Sequence, residues 1–189
     1  IFSQHFGPFK VDTPFAKDSL SIAGKVMAYI ALGKVQEEWL PTFDKIYREH
    51  NDGSMGFANV LAAKFKEAIP EDRRKDEDVL ATFHVFLERL LCEKLAKKVR
   101  SHGELSRNLC IAGGCGLNIK WNSAVRATGQ WKGVYVPPFP NDSGSAIGAA
   151  SCAMFNRTGR FAVKWTVYSG PLLRASEPAP GWSKRPCDV

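Results

Sequence analysis

The residues whose types and spacing carry chemistry lie between 108 and 150, in NLCIAGGCGLNIKWNSAVRATGQWKGVYVPPFPNDSGSAIGAA. An apolar run at 109–112 breaks into Gly113-Gly114, and Asn118 then precedes an amphipathic stretch that closes at Gly129. A second apolar run, Val134-Tyr135-Val136, breaks at Pro137-Pro138 and leads to Asp142, Ser143, Gly144 and a small-residue segment at 145–153. This order reads as strand, glycine turn, helix, strand, polar turn, helix. Both turns then fall at the carboxyl ends of strands, where open α/β sheets form binding crevices. Each also offers a helix N-terminus, whose unpaired amides attract anions such as phosphate. Asp142 needs a different reading, because a carboxylate repels phosphate unless a cation lies between them or the carboxylate accepts from a hydroxyl. A metal ligand is its chemically richer role. Asn118 fits a helix cap or a polar contact to a ligand, and both readings stay open. Ser143 and Ser145 suit a cap or a phosphate equally. Cys115 follows the glycines but has no paired histidine base, so it reads as a small filler rather than a nucleophile.

Two ordered motifs carry a family resemblance. Gly113-Gly114-Cys115-Gly116-Leu117-Asn118, and some twenty residues on Val-Pro-Pro followed by Asn141-Asp142-Ser143-Gly144-Ser145-Ala146-Ile147-Gly148-Ala149-Ala150, resemble the AGGxALN and PxxGDxGxAxGAA signatures of NodU/CmcH-type O-carbamoyltransferases. A third stretch, Ser21-Ile22-Ala23-Gly24-Lys25-Val26-Met27-Ala28-Tyr29-Ile30-Ala31-Leu32-Gly33, is similar to that family's SGEGKVMGLAPYG. The resemblance implies an actin-like ATPase (ribonuclease H-like) subdomain related to TsaD, an α/β fold with helix-flanked sheet. Residues 1–172 would be the second half of that domain, and 173–189 a linker toward a C-terminal YrdC-like domain beyond this chain. In such proteins the YrdC-like domain makes carbamoyl-adenylate from carbamoyl phosphate and ATP. The actin-like domain then moves the carbamoyl group to a hydroxyl of a small-molecule acceptor.

Residue by residue, the resemblance implies that Gly113, Gly114, Asn118, Ser143, Gly144 and Lys25 face the nucleotide. It also implies that Asp142 helps two histidines of an HxxxH motif to hold a divalent metal, Fe2+ in type. The chain departs from the family at two points. Its histidines, His5, His50, His84 and His102, are too widely spaced for HxxxH, and Ala23 replaces an acidic residue, leaving a methyl that cannot accept a ribose hydroxyl. A catalytically inactive scaffold and an actin-like kinase are therefore the competing readings. A piece of 189 residues beginning in Ile is expected to come from a longer protein and to lack transferase activity alone.

The elements that would position these residues are mostly helices. Residues 19–32 read as a helix with Ser21 as N-cap and Gly33 as its stop. Trp39, Phe43, Ile46 and Tyr47 form one apolar stripe at helical spacing, and Phe57, Val60, Leu61 and Phe65 another, separated by the turn Asn51-Asp52-Gly53. The strongest helix spans 77–102, with Leu80, Phe83, Leu87, Leu90, Leu91, Leu95 and Val99 on one face. It is expected to cross the sheet and hold both turns, with His84 packed beside the stripe. Further helices are expected at 120–128 and 145–155, the latter small enough to approach the sheet closely. Strands are expected at 9–11 and 163–168. The aromatics before residue 18 show no periodicity and are expected to lack packing partners.

The net charge of +7 is scattered, without a run of five basic residues, so nucleic acid is not indicated. Five cysteines without a CxxC pair suit reduced thiols in a cytoplasmic protein, several at core positions, and exclude a zinc spacing. No apolar run approaches the length of a membrane span.

Overall fold

Aromatic side chains spaced three and four apart must bury one face of each helix that carries them, and that requirement builds the first hundred residues. The computed structural model of the chain describes residues 1–101 and 107–160. Four helices are formed there: α1 (Ala16–Tyr29), α2 (Leu40–His50), α3 (Phe57–Ala68) and α4 (Asp76–Ser101). Phe43 of α2 lies at the centre of the core. Its ring stacks on Phe65 of α3 at 4.3 Å between centroids and on Phe86 of α4 at 5.6 Å, and is completely buried. Leu61, Ala62, Val79 and Leu80 fill the space around these rings.

The N-terminal aromatics differ from expectation, because Phe2 and Phe6 are core residues. Phe2 stacks on Phe83 at 3.9 Å, and Phe6 meets Phe65 edge-on. Their lack of periodicity reflects 3-10 turns (Phe2–His5, Gly7–Phe9) rather than missing partners. The same turns replace the strand expected at 9–11. Gly7, at φ +55°, reverses the chain, its N–H donates to Asp76 at 2.7 Å, and Lys10 pairs with the same carboxylate at 3.0 Å. Nor is Ser21 the cap of α1. Nothing between Pro14 and Ser21 breaks a helix, so the helix propagates back to Ala16, with extended Phe15 before it.

Gly33 ends the turn after α1 as expected, for a packing reason. A Cβ there would sit 2.1 Å from the Glu77 carbonyl, so only glycine lets this loop lie on the first turn of α4. The loop is fastened there by Lys34 N–H to Asp78, and by Gln36 N–H to Thr82 Oγ1.

Beyond residue 107 the chain forms β1 (Asn108–Cys110), α5 (Ile119–Ala127), β2 (Gly133–Tyr135) and α6 (Ser145–Thr158). The strands pair in parallel, with Leu109 opposite Val134, and α5 is the crossover that parallel pairing demands. The long helix α4 reaches this unit through α5, so the expectation that it lies across the sheet is replaced by helix-on-helix packing. No residue of α6 is buried, in contrast to the close approach expected of it. Cys110, Cys115 and Cys152 are exposed and Cys92 is half-buried, so among the described residues the core positions expected for several cysteines are not used. The expected strand at 163–168 and the linker at 173–189 lie outside the described residues. No described helix is long and apolar enough to cross a membrane.

Removing the central ring should be costly, whereas trimming an exposed leucine should not. Phe43→Ala is expected to lower unfolding free energy by about 3–5 kcal/mol, and Leu20→Ala, at a position 82% exposed, by less than about 0.5 kcal/mol. Urea unfolding followed by circular dichroism checks both.

Candidate functional site

The two turns singled out in the sequence touch. The Gly113 N–H donates to the Pro140 carbonyl at 2.6 Å, so the loop after β1 is tied to the loop after β2. Gly113 adopts φ +101° and ψ 164°, a combination that only glycine occupies without strain. Gly114 is different. Its backbone angle is ordinary, and a Cβ built on it meets nothing within 4 Å. The open space over Gly113-Gly114 is where a ligand could reach the main chain. The turn continues as a 3-10 helix (Gly114–Leu117) and passes into α5 at Asn118.

Gly116 was not singled out by the sequence patterns, yet it is the buried member of the trio. A Cβ there would lie 3.0 Å from Pro140 Cβ, so its absence lets the two loops meet. On the second loop, Asp142 and Ser143 are exposed in a 3-10 turn (Asp142–Gly144) that runs directly into α6. Gly144 has its missing side chain taken up by the fold, because a Cβ would be 2.1 Å from the Phe139 carbonyl. Its glycine is therefore accounted for by chain packing.

Asn118 is 8% exposed and fully engaged within the protein. Its Oδ1 accepts from the Trp121 N–H at 3.2 Å, which caps α5, and its Nδ2 lies 2.9 Å from His84 Nε2. The cap, one of the two sequence readings, is formed. Trp121 adds its indole N–H to the His84 carbonyl at 3.2 Å and stacks on the imidazole at 5.2 Å. Asn122 Nδ2 donates to the Gly116 carbonyl at 2.7 Å. These side chains bolt the glycine turn to α4. Their signal in the sequence was slight: a histidine next to an apolar stripe, and Asn-x-x-x-Asn on α5.

Lys25 is exposed on α1, whose main contacts are with the 3-10 turn at Ile30–Leu32 and the N-terminal 3-10 helix. The structure thus brings together Gly113, Gly114, Gly116, Pro140 and the turn bearing Asp142, with Lys25 on a separate element.

Against known proteins, residues 1–151 match the family model described as Carbamoyltransferase N-terminus. The chain belongs to the carbamoyltransferase N-terminus family. It is 48% identical to nodulation protein U of Bradyrhizobium diazoefficiens and 45% identical to nodulation protein U of Sinorhizobium fredii, over 98% of this chain and 35% and 36% of those proteins. It is 32% identical to the 3'-hydroxymethylcephem-O-carbamoyltransferase of Amycolatopsis lactamdurans, over 93% of this chain and 34% of that protein. The chain spans about a third of the length of these curated relatives. No solved structure matches.

The metal implied by the resemblance can be weighed against the donors present in this carbamoyltransferase family segment. Asp142 is exposed and offers carboxylate oxygens, which suit a divalent cation. Among the described residues no group of three or more His, Cys, Asp or Glu could hold a metal ion. Asp142 thus fits as one contributor to a site, and the described residues do not make a complete one.

The contrast between neighbouring glycines can be measured. Gly113→Ala is expected to lower stability by about 1–3 kcal/mol through backbone strain, and Gly114→Ala by less than about 0.5 kcal/mol, in parallel urea titrations.

Proposed function

We propose that this segment forms the nucleotide-facing part of an O-carbamoyltransferase that moves a carbamoyl group from carbamoyl-adenylate to a hydroxyl of a small molecule. The observation that carries the reading is the Gly113 N–H bond to Pro140, which sets the open Gly113-Gly114 backbone beside the turn that bears Asp142. Membership of the carbamoyltransferase N-terminus family and the likeness to a named O-carbamoyltransferase support it.

In this reading the acceptor hydroxyl oxygen bonds to the carbamoyl carbon as the bond from that carbon to the adenylate phosphate oxygen breaks. The hydroxyl loses its proton and AMP departs. The chain's own residues contribute placement. Gly113 and Gly114 admit the adenylate to the main chain, and Ser143, on the exposed turn, is within the same loop system to bond a phosphate oxygen. A divalent metal of Fe2+ type would supply charge screening when bound, with Asp142 as one oxygen ligand and the others from outside the described residues. The carbamoyl donor, carbamoyl phosphate with ATP, would be activated by a YrdC-like domain of the full-length protein, which we place in the cytoplasm. The actin-like fold is the architecture that this reading entails.

One observation favours a second reading. Ala23, in place of the family's acidic residue, removes a ribose acceptor, as expected of a relative that retains the fold as a scaffold without turnover.

The full-length protein decides between them. Given carbamoyl phosphate, ATP, Fe(II) and a set of small hydroxyl compounds, it should release AMP together with a carbamoylated product, whereas a scaffold would release neither. In isothermal titration, Gly114→Val should bind ATP at least about tenfold more weakly than wild type with little change in unfolding midpoint, since the added side chain fills the open space. Asp142→Ala should lose Fe(II) affinity. Equal metal affinity in both forms would remove Asp142 from the metal site.

A further inference from the structure

The polar knot beneath the glycine turn allows only one protonation state. The Trp121 main-chain N–H can only donate, so the atom of Asn118 that faces it must be the carbonyl Oδ1. The atom facing His84 is then the amide Nδ2, which has no lone pair to offer. Nε2 of His84 must accept, and the imidazole is neutral with its proton on Nδ1.

We propose that neutral His84 is a positioning residue for the glycine turn, and that its protonation unlocks that turn from α4. A proton on Nε2 would set two donors face to face at 2.9 Å. Asn118 then either gives up His84 or rotates its amide and gives up the α5 cap. In each case the segment from Gly113 to Asn122 loses one of its attachments, because Asn118 follows the 3-10 turn directly and Asn122 holds the Gly116 carbonyl.

The surroundings support the neutral form. Burial pushes the His84 imidazole below its usual value, and the positive charge of Lys120 on α5 acts in the same direction. An Asn118 carbonyl at the ring would work the other way, but Trp121 holds that carbonyl elsewhere. Lys120 from α5 is the charged group that acts on His84; Glu88 follows one turn later on the same helix, and as an acid it would favour the protonated ring. A neutral-only group of this kind stabilises the fold above the unfolded histidine value near pH 6.5, and its contribution is lost as pH falls through the lowered folded value.

The inference rests on the proposed nucleotide site, and the test separates the two. The full-length protein is titrated with ATP between about pH 5 and pH 8 as wild type, His84→Gln and His84→Ala. Hydrogen exchange of residues 113–122, corrected for the intrinsic pH effect, is followed in the same samples. A glutamine carbonyl can accept from Asn118 but does not titrate. Wild type should lose ATP affinity by about tenfold and lose protection of 113–122 toward acid, while His84→Gln keeps both nearly constant. His84→Ala should show the weakened, poorly protected state at every pH. Identical pH profiles for wild type and His84→Gln in exchange would overturn the positioning role. So would unchanged protection in His84→Ala. If wild type binds no ATP at any pH, the nucleotide reading fails, and the exchange profiles still decide the role of His84. If His84→Ala does not fold, the comparison of wild type with His84→Gln remains decisive.

Discussion

One backbone hydrogen bond, from the Gly113 amide to the Pro140 carbonyl, ties together two turns separated by a helix and a strand. Its neighbours exist to permit it. Gly113 takes a backbone conformation closed to other residues, Gly116 gives up a side chain so that Pro140 can approach, and Gly144 gives up one to the Phe139 carbonyl. Parallel pairing of β1 with β2 brings the two strand ends to the same edge, and the bond then joins the loops that leave them. Together with the strand pairing and the Gly116–Pro140 contact, it fixes the loop that bears Asp142 relative to the glycine turn.

The support for this arrangement comes from a part of the chain with no ligand chemistry of its own. Phe43, Phe65, Phe83 and Phe86 fix α4 against α2 and α3 through ring contacts. Side chains on the helix then pass that rigidity to α5 through His84, Trp121 and Asn118. An aromatic core is well suited to the task, since large rings bury much area with few rotatable bonds and tolerate little sliding.

Much of this was legible in the sequence because it is local. The helices at 40–50, 57–68 and 76–101 follow from apolar spacing, and both strands from short apolar runs that end in glycine or proline. The site glycines were found by the same logic, yet their roles divided only in three dimensions. Gly114 faces open space, Gly144 is filled by a carbonyl, and Gly116 is the contact point. No pattern distinguishes these, because each depends on how the chain folds around the glycine: Gly116 meets Pro140 from the other loop, Gly144 meets the Phe139 carbonyl five residues back, and Gly114 meets nothing. Phe2 and Phe6 escaped for a related reason: 3-10 turns have no long periodicity, so their burial is decided by what folds over them. The helix start at Ala16 rather than at Ser21 shows cooperative propagation overriding a good capping residue. Asn118 stayed ambiguous until its hydrogen-bond partners could be seen, since a cap and a ligand contact call for the same side chain.

The helix α6 leaves Asp142–Gly144 without interruption, and none of its residues is buried. It is therefore a lever arm whose fulcrum is the carboxylate-bearing turn. Because the helix continues directly from the turn, the direction of its axis and the orientation of the Asp142 turn are geometrically linked. The carboxylate-bearing turn is thus held between the Pro140 tether on one side and the start of α6 on the other.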